Sequence, residues 1–246
     1  MLTTLLITFA LALLSSALPH EKRALATVYT RCTAANTVAL TFDDGPWVYL
    51  YDVSKALKAA GAVGTFFFNG NNYDCIYTAD SQKRVKYAYD NGHQVASHTW
   101  SHADLTTLSW DQLHDEMWRV EQALNRIVGK SPAFMRPPYG NYNDLVRQVA
   151  AARNQSVVIW DFDSGDSVGA TVAQSKASYD DIIRQHPSTI LALNHEVYET
   201  TAHQVLPYAI SKLQAAGYRL VTLAECLGKP AYMSNPSPPL PGAWTC

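Results

Sequence analysis

From Cys32 onward the sequence alternates short apolar runs with longer segments of helical period, and this alternation restricts the possible folds more than any other feature. The apolar runs cover residues 37–42, 63–68, 94–97, 133–135, 156–160, 189–193 and 219–223. They lack an apolar–polar alternation, as expected of strands covered on both faces. Helical segments fall between them, at 51–60, 81–89, 110–128, 144–152, 179–184 and 202–216. In the longest, Leu113, Met117, Val120, Leu124 and Ile127 share one face and Ser109 stands at the N-cap position. The pattern predicts an α/β fold, an irregular and incomplete (β/α) barrel with about seven parallel strands; a doubly wound open sheet is the second choice.

The chain of 246 residues is long enough for one such domain. Its 48% hydrophobic and 16% charged content predicts a large core and argues against disorder. A formal net charge of −2 leaves no electrostatic footprint for nucleic acid, and a neutral polymer such as a polysaccharide suits this balance better.

Residues 1–17 are apolar or hydroxylic without a charge, and read as a signal peptide. The run is short for a membrane anchor and Pro19 follows it at once. Lys22-Arg23 then resembles a dibasic processing site ending a short propeptide, 18–23. A single folded domain is expected over 24–229 and an extended, Pro-rich tail over 230–246. The mature protein is expected to be secreted, free of the membrane and monomeric. Four cysteines fit an oxidising compartment. Cys32 precedes the first strand and Cys226 follows the last, so a Cys32–Cys226 bond would tie the ends of the domain; Cys75–Cys246 is the remaining pair. Asn154-Gln155-Ser156 is a glycosylation sequon.

Chemistry in such folds gathers at the C-terminal ends of the strands. The first strand ends in two adjacent carboxylates, Asp43 and Asp44, then Gly45-Pro46. Like charges so placed repel unless a cation offsets them. The third ends in "SHTWSH", with His98 and His102 four residues apart. The fourth ends in "RPPYG", Arg136 to Gly140, the fifth in "WDFDSGDS", with Asp161, Asp163 and Asp166, and the sixth in "LALNHEV", with His195. One turn puts two imidazoles on one side, and with a carboxylate they make a three-ligand metal site with an open position. The second carboxylate is then free to act as a general base.

Together these segments resemble the polysaccharide deacetylase family, carbohydrate esterase family 4, whose members are irregular (β/α) barrels. "TFDDGP", "HTWSH", "RPPYG", "DSGD" and "LALNH" stand in the family's order. The resemblance implies Asp43 as catalytic base and Asp44, His98 and His102 as ligands of Zn²⁺, with Co²⁺ or another divalent metal as alternatives. It implies Arg136 as the group that orients the base and the Tyr139 backbone N–H as oxyanion donor. Asp163 would tune His195, the general acid, and Leu193 would line the acetyl pocket. Ser167 stands where the family usually has Trp, which puts one groove wall in question. Trp47, Trp100 and Tyr142 are the aromatic candidates to supply sugar contacts instead. Chitin or chitooligosaccharide is the implied substrate. Peptidoglycan, acetyl-xylan and a non-catalytic carbohydrate-binding role are the alternatives.

Overall fold

The computed structural model describes residues 24–235, 238–239, 241–242 and 244–246. The expected signal peptide and propeptide lie outside the described residues. Among the described residues, nine strands form one sheet: β1 (Val28–Tyr29), β2 (Thr37–Asp43), β3 (Thr65–Phe68), β4 (Gln94–Ser97), β5 (Phe134–Met135), β6 (Ser156–Val158), β7 (Phe162–Asp163), β8 (Thr189–His195) and β9 (Arg219–Val221). Seven helices accompany them: α1 (Leu50–Ala59), α2 (Ala79–Asp90), α3 (Trp110–Val128), α4 (Asp144–Ala152), α5 (Val172–Gln185), α6 (Leu206–Ala215) and α7 (Leu223–Leu227). The order is β1-β6-β5-β4-β3-β2-β8-β7, with β9 also on β2, and every pairing is parallel. The path has two free edges, β1 and β7, so the barrel is incomplete as the sequence predicts.

The differences from expectation are local. The 156–160 run divides because β6 ends at Val158 and the next pairing begins at Phe162. Helix α5 begins at Val172 and not near 179, because Thr171 and Gln174 form a capping box that holds its first turn. The predicted 202–216 helix opens with a π turn, Thr201–Val205, before α6. Pro207 sits in the first turn of α6, where its missing N–H breaks the regular ladder.

All seven residues of β2 are buried. Its two faces feed different clusters, since side chains alternate along a strand. Val38, Leu40 and Phe42 join the cluster that includes Val53, Leu57 and Ile210 of the flanking helices. Ala39 packs inward with Phe67, Ala96, Phe134, Val158, Leu191 and Val221. The same inward face then turns polar at the C-terminal end, where Thr41 and Asp43 follow Ala39. Helix α3, its N-terminus held by the Ser109–Gln112 capping box, buries Leu113, Met117, Val120 and Leu124.

Both expected disulfides are present, Cys32–Cys226 and Cys75–Cys246. They span 194 and 171 residues. Chain-entropy arguments value loops of that length at roughly 5 kcal/mol each, as an upper figure. The second pins the C-terminal tail, which also bridges Pro132 through Tyr232 and rests Trp244 on Tyr77. Cys246→Ser should therefore expose the tail to protease while leaving the sheet folded. Limited proteolysis and far-UV circular dichroism check this; a tail as resistant as wild type would show that the Tyr232 and Trp244 contacts suffice to hold it.

Candidate active site

The pair Asp43-Asp44 closes β2 inside a tight reversal. Asp44 takes φ 73°, and the Gly45-Pro46 bond that follows is cis. Two other turns of the site share the left-handed conformation: Thr99 (φ 69°) and His102 (φ 59°) after β4, and Tyr139 (φ 60°) after β5. Four of the seven non-glycine residues with positive φ thus lie in one place. Such residues cost of order 1–3 kcal/mol each and persist where surrounding contacts hold them, often at functional sites.

His98 is buried, and its Nδ1 lies 2.8 Å from the Arg136 carbonyl oxygen. Donation of the Nδ1 proton to that carbonyl leaves Nε2 as a lone-pair donor. His98 Nε2 lies 3.5 Å from Asp44 Oδ1, and His102 Nε2 lies 3.2 Å from the same oxygen. One ligand atom from each of the three residues falls within 4.8 Å of the others. Burial raises the Asp44 carboxyl pKa, although His98 and His195 pull it down. Burial lowers both His98 and His102, which favours neutral imidazoles. Two imidazole nitrogens, on rings that burial disposes to be neutral, and a carboxylate oxygen converge. This donor set fits a divalent cation.

Asp43 differs from Asp44 in its anchor, not in its distance from His98. Its Oδ1 accepts a bond from Arg136 Nη1 at 2.8 Å, while Oδ2 lies 3.7 Å from His98 Nε2. Arg136 is fully buried. It also donates to Thr41 Oγ1 at 2.7 Å and the Ile159 carbonyl at 3.1 Å, and its guanidinium sits 4.3 Å above the Phe67 ring. A buried guanidinium needs such partners.

His195 ends β8 in register with Asp43. Its partner corrects the sequence reading: Asp166, not Asp163, holds the imidazole, with Oδ1 2.7 Å from Nδ1. Asp166 Oδ2 accepts from the His195 backbone N–H and the Thr201 hydroxyl, each at 2.8 Å. Asp163 instead accepts the Gly165 N–H and shapes the turn that delivers Asp166. Burial alone would lower the His195 pKa; the hydrogen bond and charge of Asp166, with Asp43 and Asp44 nearby, raise it to about 9. The sequence offered two acids three residues apart, and only the turn decides which one reaches the ring.

Asp43, Asp44, His98, His102 and His195 line a pocket of about 420 Å³ with Pro137, Tyr139, Trp160, Asp163, Ser167, Val168, Leu193 and Tyr198, while Arg136 and Asp166 stand behind it. A groove of similar volume beside Tyr29, Phe134 and Tyr232 has no cluster of titratable side chains. Leu193, Tyr139 and Ser167 lie where the sequence reading places them, on the pocket wall. Trp100 does not: it is buried, with the Arg119 guanidinium 3.8 Å above its ring, and it fills space that a Cβ on Gly70 would enter. Trp47 packs 5.6 Å from Tyr73, and Tyr142 is exposed, but neither is among the residues lining the pocket. Trp160 and Tyr198 supply aromatic walls that the sequence reading missed. The signals were present: Trp160 ends the fifth apolar run and Tyr198 stands three residues after His195.

The polysaccharide deacetylase family profile matches residues 30–158. A chitin deacetylase from a Pestalotiopsis species is 36% identical over 82% of this chain and 67% of its own length. A probable peptidoglycan-N-acetylglucosamine deacetylase from Arthroderma benhamiae is also 36% identical, over 82% of this chain but only 46% of its own length. The chitin deacetylase of Colletotrichum lindemuthianum is 32% identical over 90% of this chain and 92% of its length. Its solved structure superposes with a TM-score of 0.80 over 86% of this chain and 97% of that one. The chain belongs to the polysaccharide deacetylase family.

The Asp166–His195 bond makes a pH prediction. With His195 as general acid, the role its raised pKa suits, activity should fall as pH rises through that pKa, because such an acid works while protonated. Asp166→Asn removes a charge that raises this pKa, and should move the basic limb of the kcat/KM profile to lower pH. Asp163→Asn should leave that limb in place. The reverse pattern would restore Asp163 as the tuning group.

Proposed function

We propose that this protein is a secreted chitin deacetylase, hydrolysing N-acetyl groups of chitin or chitooligosaccharides to acetate and free amino sugar. One observation carries the reading: Asp43 and His195 face a single pocket from paired strand ends, beside the Asp44–His98–His102 trio. Base and acid can thus reach opposite sides of one scissile amide. The full-length likeness to the Colletotrichum enzyme supports the substrate class.

A cation held by Asp44, His98 and His102, Zn²⁺ in this reading, supplies Lewis acidity that polarises the acetyl carbonyl and makes water easier to deprotonate. Asp43 Oδ2 takes the proton of the attacking water while Arg136 fixes Oδ1. The Tyr139 amide, in its left-handed turn, is assigned to the developing oxyanion. His195 Nε2 gives a proton to the departing amine, and Asp166 keeps the opposite ring nitrogen protonated and the ring aimed. Leu193 and Trp160 leave an apolar recess for the acetyl methyl. The two disulfides and the apolar N-terminal segment support export. No helix among the described residues is long and apolar enough to cross a membrane.

Peptidoglycan is the second substrate reading, favoured by the equal identity to the Arthroderma relative. Acetate release from chitotetraose, N-acetylated peptidoglycan and acetyl-xylan, measured with Zn²⁺ and after chelation, separates the readings. Chitotetraose should be the best substrate, with turnover lost on chelation and restored by Zn²⁺. Acetate from peptidoglycan or xylan but none from chitotetraose would overturn the assignment.

A further inference from the structure

Next to His195 stands a second titratable residue that the chemistry above does not use. Glu196 is fully buried. It follows β8 in the turn after His195, and it is not among the residues that line the pocket. There its Oε1 accepts the backbone N–H of Trp47 at 2.9 Å. The same oxygen occupies the space that a Cβ on residue 45 would take, so the carboxyl head lies directly against Gly45. Its other oxygen has no hydrogen-bond partner among the described residues. A buried carboxyl with half of its capacity unmet is costly unless it contributes elsewhere.

We infer that Glu196 is a positioning residue that clamps the turn carrying Asp43 and Asp44. The turn is gripped at two points. Glu196 takes the Trp47 N–H, and the Gly45 carbonyl accepts the Asn69 N–H at 2.9 Å from β3's end. Between these points lies the cis Gly45-Pro46 bond, and immediately before them Asp44 in its left-handed conformation. Asp44 must hold that conformation for Oδ1 to stay beside both imidazoles. The Asn69 bond restrains only the carbonyl side of Gly45; without Glu196 the following N–H loses its partner. Since His195 ends β8 and Glu196 is the next residue, one strand end then sets the acid directly and the base and ligand pair through the clamp. Glycine at 45 follows from the same geometry, because any side chain there would evict the carboxyl.

The test is Zn²⁺ affinity, measured by competition with a chromophoric chelator, alongside kcat and KM. Glu196→Ala should weaken Zn²⁺ binding about 10- to 100-fold, the usual effect of losing an outer support of a metal ligand. It should lower kcat with little change in KM. Glu196→Gln, whose amide oxygen can accept the same N–H, should recover most of both losses. Gly45→Ala should impair the protein through the clash, and in the Glu196→Ala background that cost should largely vanish, because the two residues act on one contact. The inference rests on Asp44, His98 and His102 as ligands: a wild-type protein that does not bind Zn²⁺ would overturn that reading first. Wild-type Zn²⁺ binding with an unchanged Glu196→Ala overturns the clamp alone. So does a Gln variant as impaired as Ala. If Glu196→Ala does not fold, Gly45→Ala with the wild-type affinity would equally overturn it.

Discussion

Seven consecutive residues of β2 pair in parallel with seven of β8, and this register sets Asp43 beside His195. Everything at the site is referred to that pairing. A slip of one residue would turn the inward face of either strand outward and separate Asp43 from His195. The register is secured lower down, where Ala39 and Leu191 pack inward while Leu40 and Ala192 are buried on the opposite side. Core packing near the middle of the strands therefore fixes chemistry at their tips.

The site concentrates charge that a core normally excludes. Arg136 is buried, and burial lowers its pKa against the pull of Asp43. Removing one member of such a pair typically costs 3–5 kcal/mol, because the other is left uncompensated. The pair is thus a stability commitment, supported at Nη1 and Nη2 by Thr41 and the Ile159 carbonyl and across the ring face by Phe67, while Arg136 Nε has no hydrogen-bond partner among the described residues. The adjacent Asp44 has no such guanidinium. Its carboxyl faces two imidazoles whose pKa values burial lowers, a donor set that fits a cation. The neighbouring acids on one strand end thus stand in different surroundings, which is the basis of the roles proposed for them.

The strand–helix alternation, the barrel class, both disulfides and the polar strand ends were legible because each depends on local pattern or on a residue type with few alternative uses. Helix α3 and helix α4 could be read to the residue from their apolar spacing. The short strands β1 and β7 were not legible: two residues carry no periodicity, and only pairing with a neighbour defines them. The sequence points to Asp163 where the structure has Asp166, because spacing alone does not reveal which acid a turn presents. Trp100 lay inside the histidine motif yet packs into the core, since the left-handed turn at Thr99 directs it away from the pocket. Glu196 escaped notice because its function depends on a backbone N–H far away in sequence.

The claim that Asp43 acts while Asp44 binds is tested most directly by Asp43→Asn, with bound Zn²⁺ counted by mass spectrometry beside acetate release from chitotetraose. The account predicts about one Zn²⁺ per chain, as in wild type, and turnover reduced by roughly 100-fold or more. Loss of the metal in this variant, or turnover near wild type with the metal in place, would contradict it.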